Sequence, residues 1–177
     1  MRVKPLIAIP LIAVALAGCS TEQPAPKETT AAADQKPLFA SDEEALAAAQ
    51  SAYANYLEVS DQIARDGGAN PERLKGLVSK VQYSNELQNY ADYSKSGFHS
   101  SGNSTFDSFH ISNSNQNDFS AYLCVDVSGS RVINSDGVDV TPASRVDRWP
   151  LLVNFSFGAD GVTLISGSET WTGTNFC

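Results

Sequence analysis

Phe119-Ser120-Ala121-Tyr122-Leu123-Cys124-Val125-Asp126-Val127 reads as a strand over its whole length. Ala121, Leu123, Val125 and Val127 fall on one face, and Tyr122, Cys124 and Asp126 on the other. This period of two marks a strand with one buried side. C-terminal to it, Ser128-Gly129-Ser130 turns the chain, Arg131 to Asn134 is a short strand, and Asp136-Gly137 is a tight-turn signal before Val138 to Val140. Trp149 to Phe157 alternates again, with Trp149, Leu151, Val153, Phe155 and Phe157 on one side. Gly158 to Gly161 makes a tight connection, and Val162 to Thr170 returns as the antiparallel partner. N-terminal to it lie a polar loop at Asn113 to Asn117, a strand at Thr105 to Ser112 and a polar turn at Ser100 to Ser104.

Before Phe98 the period is helical. Ser41 and Glu44 have capping-box spacing, and Asp42 and Glu43 place negative charge where the helix dipole favours it. Leu46, Ala49, Tyr53, Tyr56, Leu57, Ser60 and Ile63 follow at spacings of three and four until Gly67-Gly68 stops the helix. Asn70-Pro71-Glu72 predicts a second, short helix with Leu74, Leu77 and Val78 on its apolar face. A third runs from about Ser84 to Ser94, with Leu87, Tyr90 and Ala91 inward.

One long and two short helices followed by four to five strands give an α+β class with a curved antiparallel sheet. With that order on the page, the chain resembles the nuclear transport factor 2-like, or SnoaL-like, cone fold. Ala52-Tyr53 to Tyr56-Leu57, Asn70-Pro71-Glu72-Arg73-Leu74, Tyr122 to Asp126, and Trp171-Thr172-Gly173 to Cys177 carry the resemblance, which spans about Asp42 to Cys177. It implies a site inside the cone, between the long helix and the sheet, and a homodimer through the outer sheet face. The fold hosts isomerases, dehydratases and hydrolases as well as non-catalytic binding domains, so function has to come from the site.

The N-terminus gives a location. Arg2 and Lys4 precede an apolar run from Leu6 to Leu16, and Leu16-Ala17-Gly18-Cys19 resembles a bacterial lipobox. The run is about half the length of a membrane span. The resemblance implies a signal peptide over residues 1–18, a lipid on the Cys19 sulfur, and display on the extracytoplasmic face of the cell membrane. Two acyl chains suffice for stable anchoring. Residues 19–40, rich in Pro, Ala, Thr, Glu and Lys, predict a flexible tether with a taut reach of roughly 70 Å. Residues 41–177 form the folded domain.

Of 12 basic residues, Arg2 and Lys4 leave with the signal, so 10 face 20 acidic ones and the mature charge is −10. That disfavours nucleic acid as a partner. With Cys19 lipidated, Cys124 and Cys177 remain for a disulfide in an oxidising compartment. His99 and His110 have no ligand spacing to either, and neither a metal nor a cofactor is expected.

Chemistry inside a cone would need a carboxylate base and a hydroxyl donor. Asp126 and His110 are the candidate bases, with Asp107 or Asp126 as a partner for His110; Tyr53 and Tyr56 are the candidate donors. No base and donor pair has a placement that sequence fixes. The reading is therefore a lipid-anchored lipoprotein whose domain binds a small molecule or an envelope protein without catalysis. The alternative is a small-molecule isomerase, dehydratase or hydrolase.

Overall fold

The computed structural model describes residues 39–114 and 118–177. The signal segment, Cys19 and nearly all of the tether lie outside them. Helix α1 spans Asp42–Arg65 and α2 spans Lys80–Lys95, with one 3-10 turn, Pro71–Leu74, between. Six strands follow: β1 His99–Gly102, β2 Thr105–Ser114, β3 Asp118–Asp126, β4 Ser130–Ile133, β5 Arg148–Phe157 and β6 Thr163–Thr170. Four of them make an antiparallel sheet in the order β2-β3-β5-β6, and β1 pairs with β4 in a separate ribbon. The class is α+β, with two helices on a curved sheet, consistent with a nuclear transport factor 2-like cone.

Ser41 caps α1, its Oγ accepting the Glu44 N–H at 3.3 Å. The Glu44 carboxylate reaches back one residue further than a capping box requires, to the Ala40 N–H at 2.7 Å. Ala45, Ala49, Tyr53 and Ile63 are the buried residues of this helix. Ala49, Tyr53 and Ile63 share one core cluster with Phe119, Ala121, Leu123, Val125, Val153, Phe155 and Ile165 from the sheet. The inner faces of β3 and β5 are those the alternation predicts.

The ladders shift register between Asp107 and His110 and between Ile111 and Asn113 in β2, and between Asn154 and Phe155 in β5; the first of these, and a proline in β5, shape the outer face. In β2, Asp107 pairs with Cys124 and His110 with Tyr122, so Ser108 and Phe109 of β2 oppose the single residue Leu123 of β3. This is a β-bulge, and Ser108 sits in it with φ +52°. In β5, Pro150 lies on an interior strand, where a missing N–H normally breaks a ladder. Its carbonyl accepts the Trp171 N–H at 3.0 Å, and a strand residue points its N–H and C=O the same way. The lost donor therefore falls on the rung just beyond the last β5–β6 pair, Leu151 with Thr170.

Several expected elements take a different form. The second helix stops after the four residues of the 3-10 turn, and Asn70 is left-handed (φ 56°) with no side-chain cap. Gly76, with φ +87°, redirects the chain. Val78 then pairs with Ile165, covering part of the β6 edge instead of forming a helical face. Helix α2 starts earlier than expected, capped by Ser79. Its inward stripe is Tyr83, Glu86 and Tyr90, whereas Ala91 is exposed. The Ser100–Ser104 turn is mostly strand β1, which has no apolar alternation to reveal it. Val138 to Val140 forms only a bridge, Asp139 with Ile133.

Candidate functional site

The face of α1 beyond the apolar stripe borders a cleft of about 570 Å³, closed on its other side by the β1–β2 connection. Ala54, Leu57 and Phe106 give it apolar walls, and Glu58, Asp61 and Arg65 place charge at it. Asp61 is already occupied. Its Oδ2 accepts the Ser104 N–H at 2.7 Å and its Oδ1 the Ser104 hydroxyl at 2.9 Å. Arg65 Nη1 donates to the Gly102 carbonyl at 3.0 Å and to Asn103 Oδ1 at 2.6 Å. Two charged side chains one helical turn apart thus hold the β1–β2 connection against α1. Both keep lone pairs or N–H groups that those bonds do not use.

Deeper in, the space between α1 and the sheet is filled with rings. Tyr53 lies 4.9 Å from Phe106, edge to face, and 6.5 Å from Phe109. Phe109 continues to Phe155 at 6.2 Å, and Phe155 stacks on Phe119 at 4.8 Å. Such contacts add about 0.5–1.5 kcal/mol each beyond area burial. Tyr53 and Tyr56 come together here, with centroids 6.0 Å apart. Burial first, and then the negative charge of Asp61, pushes the Tyr53 phenol above its ordinary range. Burial, followed by Glu86, does the same to Tyr56. The Tyr56 hydroxyl donates to Glu86 Oε1 at 2.7 Å, and Gln82 Nε2 donates to the same oxygen at 2.9 Å. Glu86, 7% exposed, is the buried charged side chain among the described residues. Tyr90 donates to the Ser60 carbonyl at 3.3 Å. Ser60 Oγ stands near both phenols but is buried without a hydrogen bond of good geometry.

Asp126 and His110 are elsewhere, on the outer face of the sheet. Asp126 pairs with Arg148 across β3 and β5, at 3.9 Å between side chains. Hydrogen bonds from Ser128 first, and then the Arg148 charge, hold Asp126 below the ordinary carboxylate range. Asp107 gives both oxygens to the Arg148 guanidinium, which with Ser108 holds its carboxyl low as well. His110 Nδ1 lies 2.6 Å from the Ser108 carbonyl, so neither aspartate is its partner. The sheet therefore separates the two halves of the candidate set, Tyr53 and Tyr56 inside and Asp126 and His110 outside.

The outer face carries the C-terminal segment. Cys124 and Cys177 form a disulfide, with Cα atoms 5.6 Å apart. Trp171 and Phe176 pack their rings on Tyr122 at 5.0 and 6.0 Å. No group of three or more His, Cys, Asp or Glu side chains placed to hold a metal occurs among the described residues. No described helix is long and apolar enough to cross a membrane.

Asp61, Arg65 and Glu86 are the side chains that sequence reasoning missed. Each had a signal. Asp61 lies four residues from Leu57 at the edge of the apolar stripe, and Arg65 lies four beyond Asp61. Glu86 lies three residues after Tyr83 and four before Tyr90, within an aromatic stripe.

No family model and no curated protein matches the chain. Solved structures do. The intermembrane space region of chloroplast protein ARC6 is similar over 71% of this chain and 95% of its own, at 9% identity and a TM-score of 0.52. A Catenulispora Acidiphila protein in complex with S-DNPA is 13% identical over 70% of this chain and 90% of its own, with a TM-score of 0.46. An Ntf2 like protein involved in plasmid conjugation is 11% identical over 71% of this chain and 51% of its own, with a TM-score of 0.33. At these identities the likeness is one of fold.

Proposed function

We propose that this protein is a lipid-anchored domain of the nuclear transport factor 2-like type. It would be displayed on the extracytoplasmic face of the membrane, binding a small molecule or an envelope protein at the α1 cleft without converting it. The observation that carries the non-catalytic part is the separation of the candidate bases from the candidate hydroxyl donors by the thickness of the sheet. A general base must lie within hydrogen-bond reach of the proton it takes. Two carboxylates border the cleft: Asp61 accepts from Ser104 with both oxygens, and Glu58 accepts from Gln62 Nε2 at 3.3 Å. A half-open cleft with apolar walls and a few polar groups suits binding.

Membrane fractionation of cells expressing the full chain tests the anchor. The wild type is expected in the membrane fraction, with an acylated N-terminal Cys19 peptide by mass spectrometry, and Cys19→Ser in the soluble fraction. Wild type released without lipid overturns the anchor. For the cleft, native mass spectrometry of the protein isolated from its own envelope is expected to show a bound species that Ala54→Trp loses. A species chemically altered on incubation with the wild type would establish catalysis instead.

A further inference from the structure

A second hollow lies on the opposite side of the sheet from the α1 cleft. His110 and Tyr122 are direct cross-strand partners. Side chains at such a pair project the same way, with Cβ atoms about 5 Å apart. The bulge orients the imidazole, because His110 Nδ1 lies 2.6 Å from the Ser108 carbonyl. A carbonyl only accepts, so Nδ1 carries the hydrogen, and the neutral ring keeps its lone pair on Nε2. The Tyr122 hydroxyl makes no hydrogen bond among the described residues. Phe176 stands 6.0 Å from the Tyr122 ring at 74° and gives a second aromatic wall, held there by the neighbouring disulfide. Ser108, His110, Tyr122 and Phe176 line a space of about 370 Å³.

We infer that this hollow binds a small planar aromatic molecule bearing an O–H or N–H group, of the phenol or indole type. The ring fills the angle between Tyr122 and Phe176, where edge and face contacts are both available. Its donor points to His110 Nε2, and the Tyr122 hydroxyl donates to any acceptor on the same ring. Charge excludes aromatic acids. The nearby cation, Arg148, is committed to Asp107 and Asp126, and Glu169 stands on the same face, opposite Leu152. Neither the α1 cleft nor the anchor enters this inference.

Phenol is the probe and toluene, of equal shape without the donor, its control. The detergent-solubilised full chain is followed by the NMR signals of the His110, Tyr122 and Phe176 rings. Phenol is expected to shift these signals saturably and to bind several-fold tighter than toluene. His110→Ala should weaken phenol roughly 3- to 10-fold, the worth of one hydrogen bond, and leave toluene unchanged. Phe176→Ala should weaken both. All four lining side chains are at least partly exposed, so the variants keep the core, checked by the Phe119 and Phe155 ring signals. Equal binding of phenol and toluene, or indifference of phenol to His110→Ala, overturns the inference. So does the absence of a saturable shift, or shifts confined to Leu57 and Phe106 in the α1 cleft.

Discussion

Phe106 and Phe109 lie three residues apart on β2, and both pack on Tyr53, at 4.9 and 6.5 Å. In a regular strand residues three apart face opposite sides. The bulge at Ser108 supplies the missing half-step, so one backbone irregularity puts two phenylalanines inside while Asp107 and His110 stay outside.

Ser108 holds φ +52°, a left-handed conformation that costs a non-glycine residue about 1–2 kcal/mol. Its hydroxyl returns part of this through a 2.8 Å bond to Asp107. Ser108→Gly is therefore expected to stabilise the fold by up to about 1 kcal/mol, and Ser108→Val to destabilise it. Urea denaturation of both variants decides the matter; loss of stability in the glycine variant would mean that the hydroxyl dominates.

The buried phenols set the alkaline limit. Tyr53, Tyr56 and Tyr90 all have raised pKa values, with burial the leading cause in each. The unfolded chain loses these protons from pH about 10 upward while the folded chain retains them. Folding stability is thus complete below that pH and falls as pH rises toward the folded-state values, by up to about 1.4 kcal/mol per pH unit for each tyrosine. Tyr53→Phe should flatten the decline between pH 10 and 12, read from denaturant midpoints.

Glu86 and Ser60 predict opposite signs in one cluster. Removing the Glu86 carboxylate strands the Tyr56 hydroxyl, so Glu86→Ala should lose about 1–3 kcal/mol, whereas Glu86→Gln keeps an acceptor and loses less. Ser60→Ala removes a buried hydroxyl that has no good partner and raises helix propensity. It is expected to stabilise by about 0.5–1 kcal/mol. Thermal melts of the three variants suffice, and a destabilised Ser60→Ala would show that the hydroxyl is bonded after all.

Reduction of the disulfide opens a loop with a sequence separation of 53 residues, which the chain-entropy estimate values at about 4 kcal/mol. The fold should weaken by up to that amount, and Trp171 should leave Tyr122. A red shift in tryptophan emission on adding a reductant, reproduced by Cys177→Ser, is the expected signature. An unchanged spectrum would place Trp171 under the control of the Pro150 hydrogen bond instead.

Strands β3, β5 and β6 were legible because their alternation records a buried inner face, and α1 because its cap, stripe and stop agree. What stayed hidden was non-local. Strand β1 is Ser- and Gly-rich and exists because β4 lies beside it. The 3-10 turn replaced a helix because Leu77 and Val78 are drawn into pairing with Ile165. The cysteine pair was legible from its count alone. The candidate set was legible only in part. Alternation placed Asp126 on the face opposite Leu123 and Val125, but the side on which α1 would pack was not written in either strand. Glu86 was hidden by its charge, since a carboxylate in a stripe reads as solvated until a tyrosine from another helix meets it.

The disulfide also changes how the molecule would carry load. A pull on Cys177 bypasses β6, the edge strand that would otherwise peel first, and arrives at β3, flanked by β2 and β5. Extension must then shear an interior strand past two neighbours at once. The 53-residue separation closed by the bond corresponds to roughly 180 Å of chain that cannot pay out while the sulfurs stay joined. The domain should behave under tension as a short, stiff link, and become an extensible one when reduced.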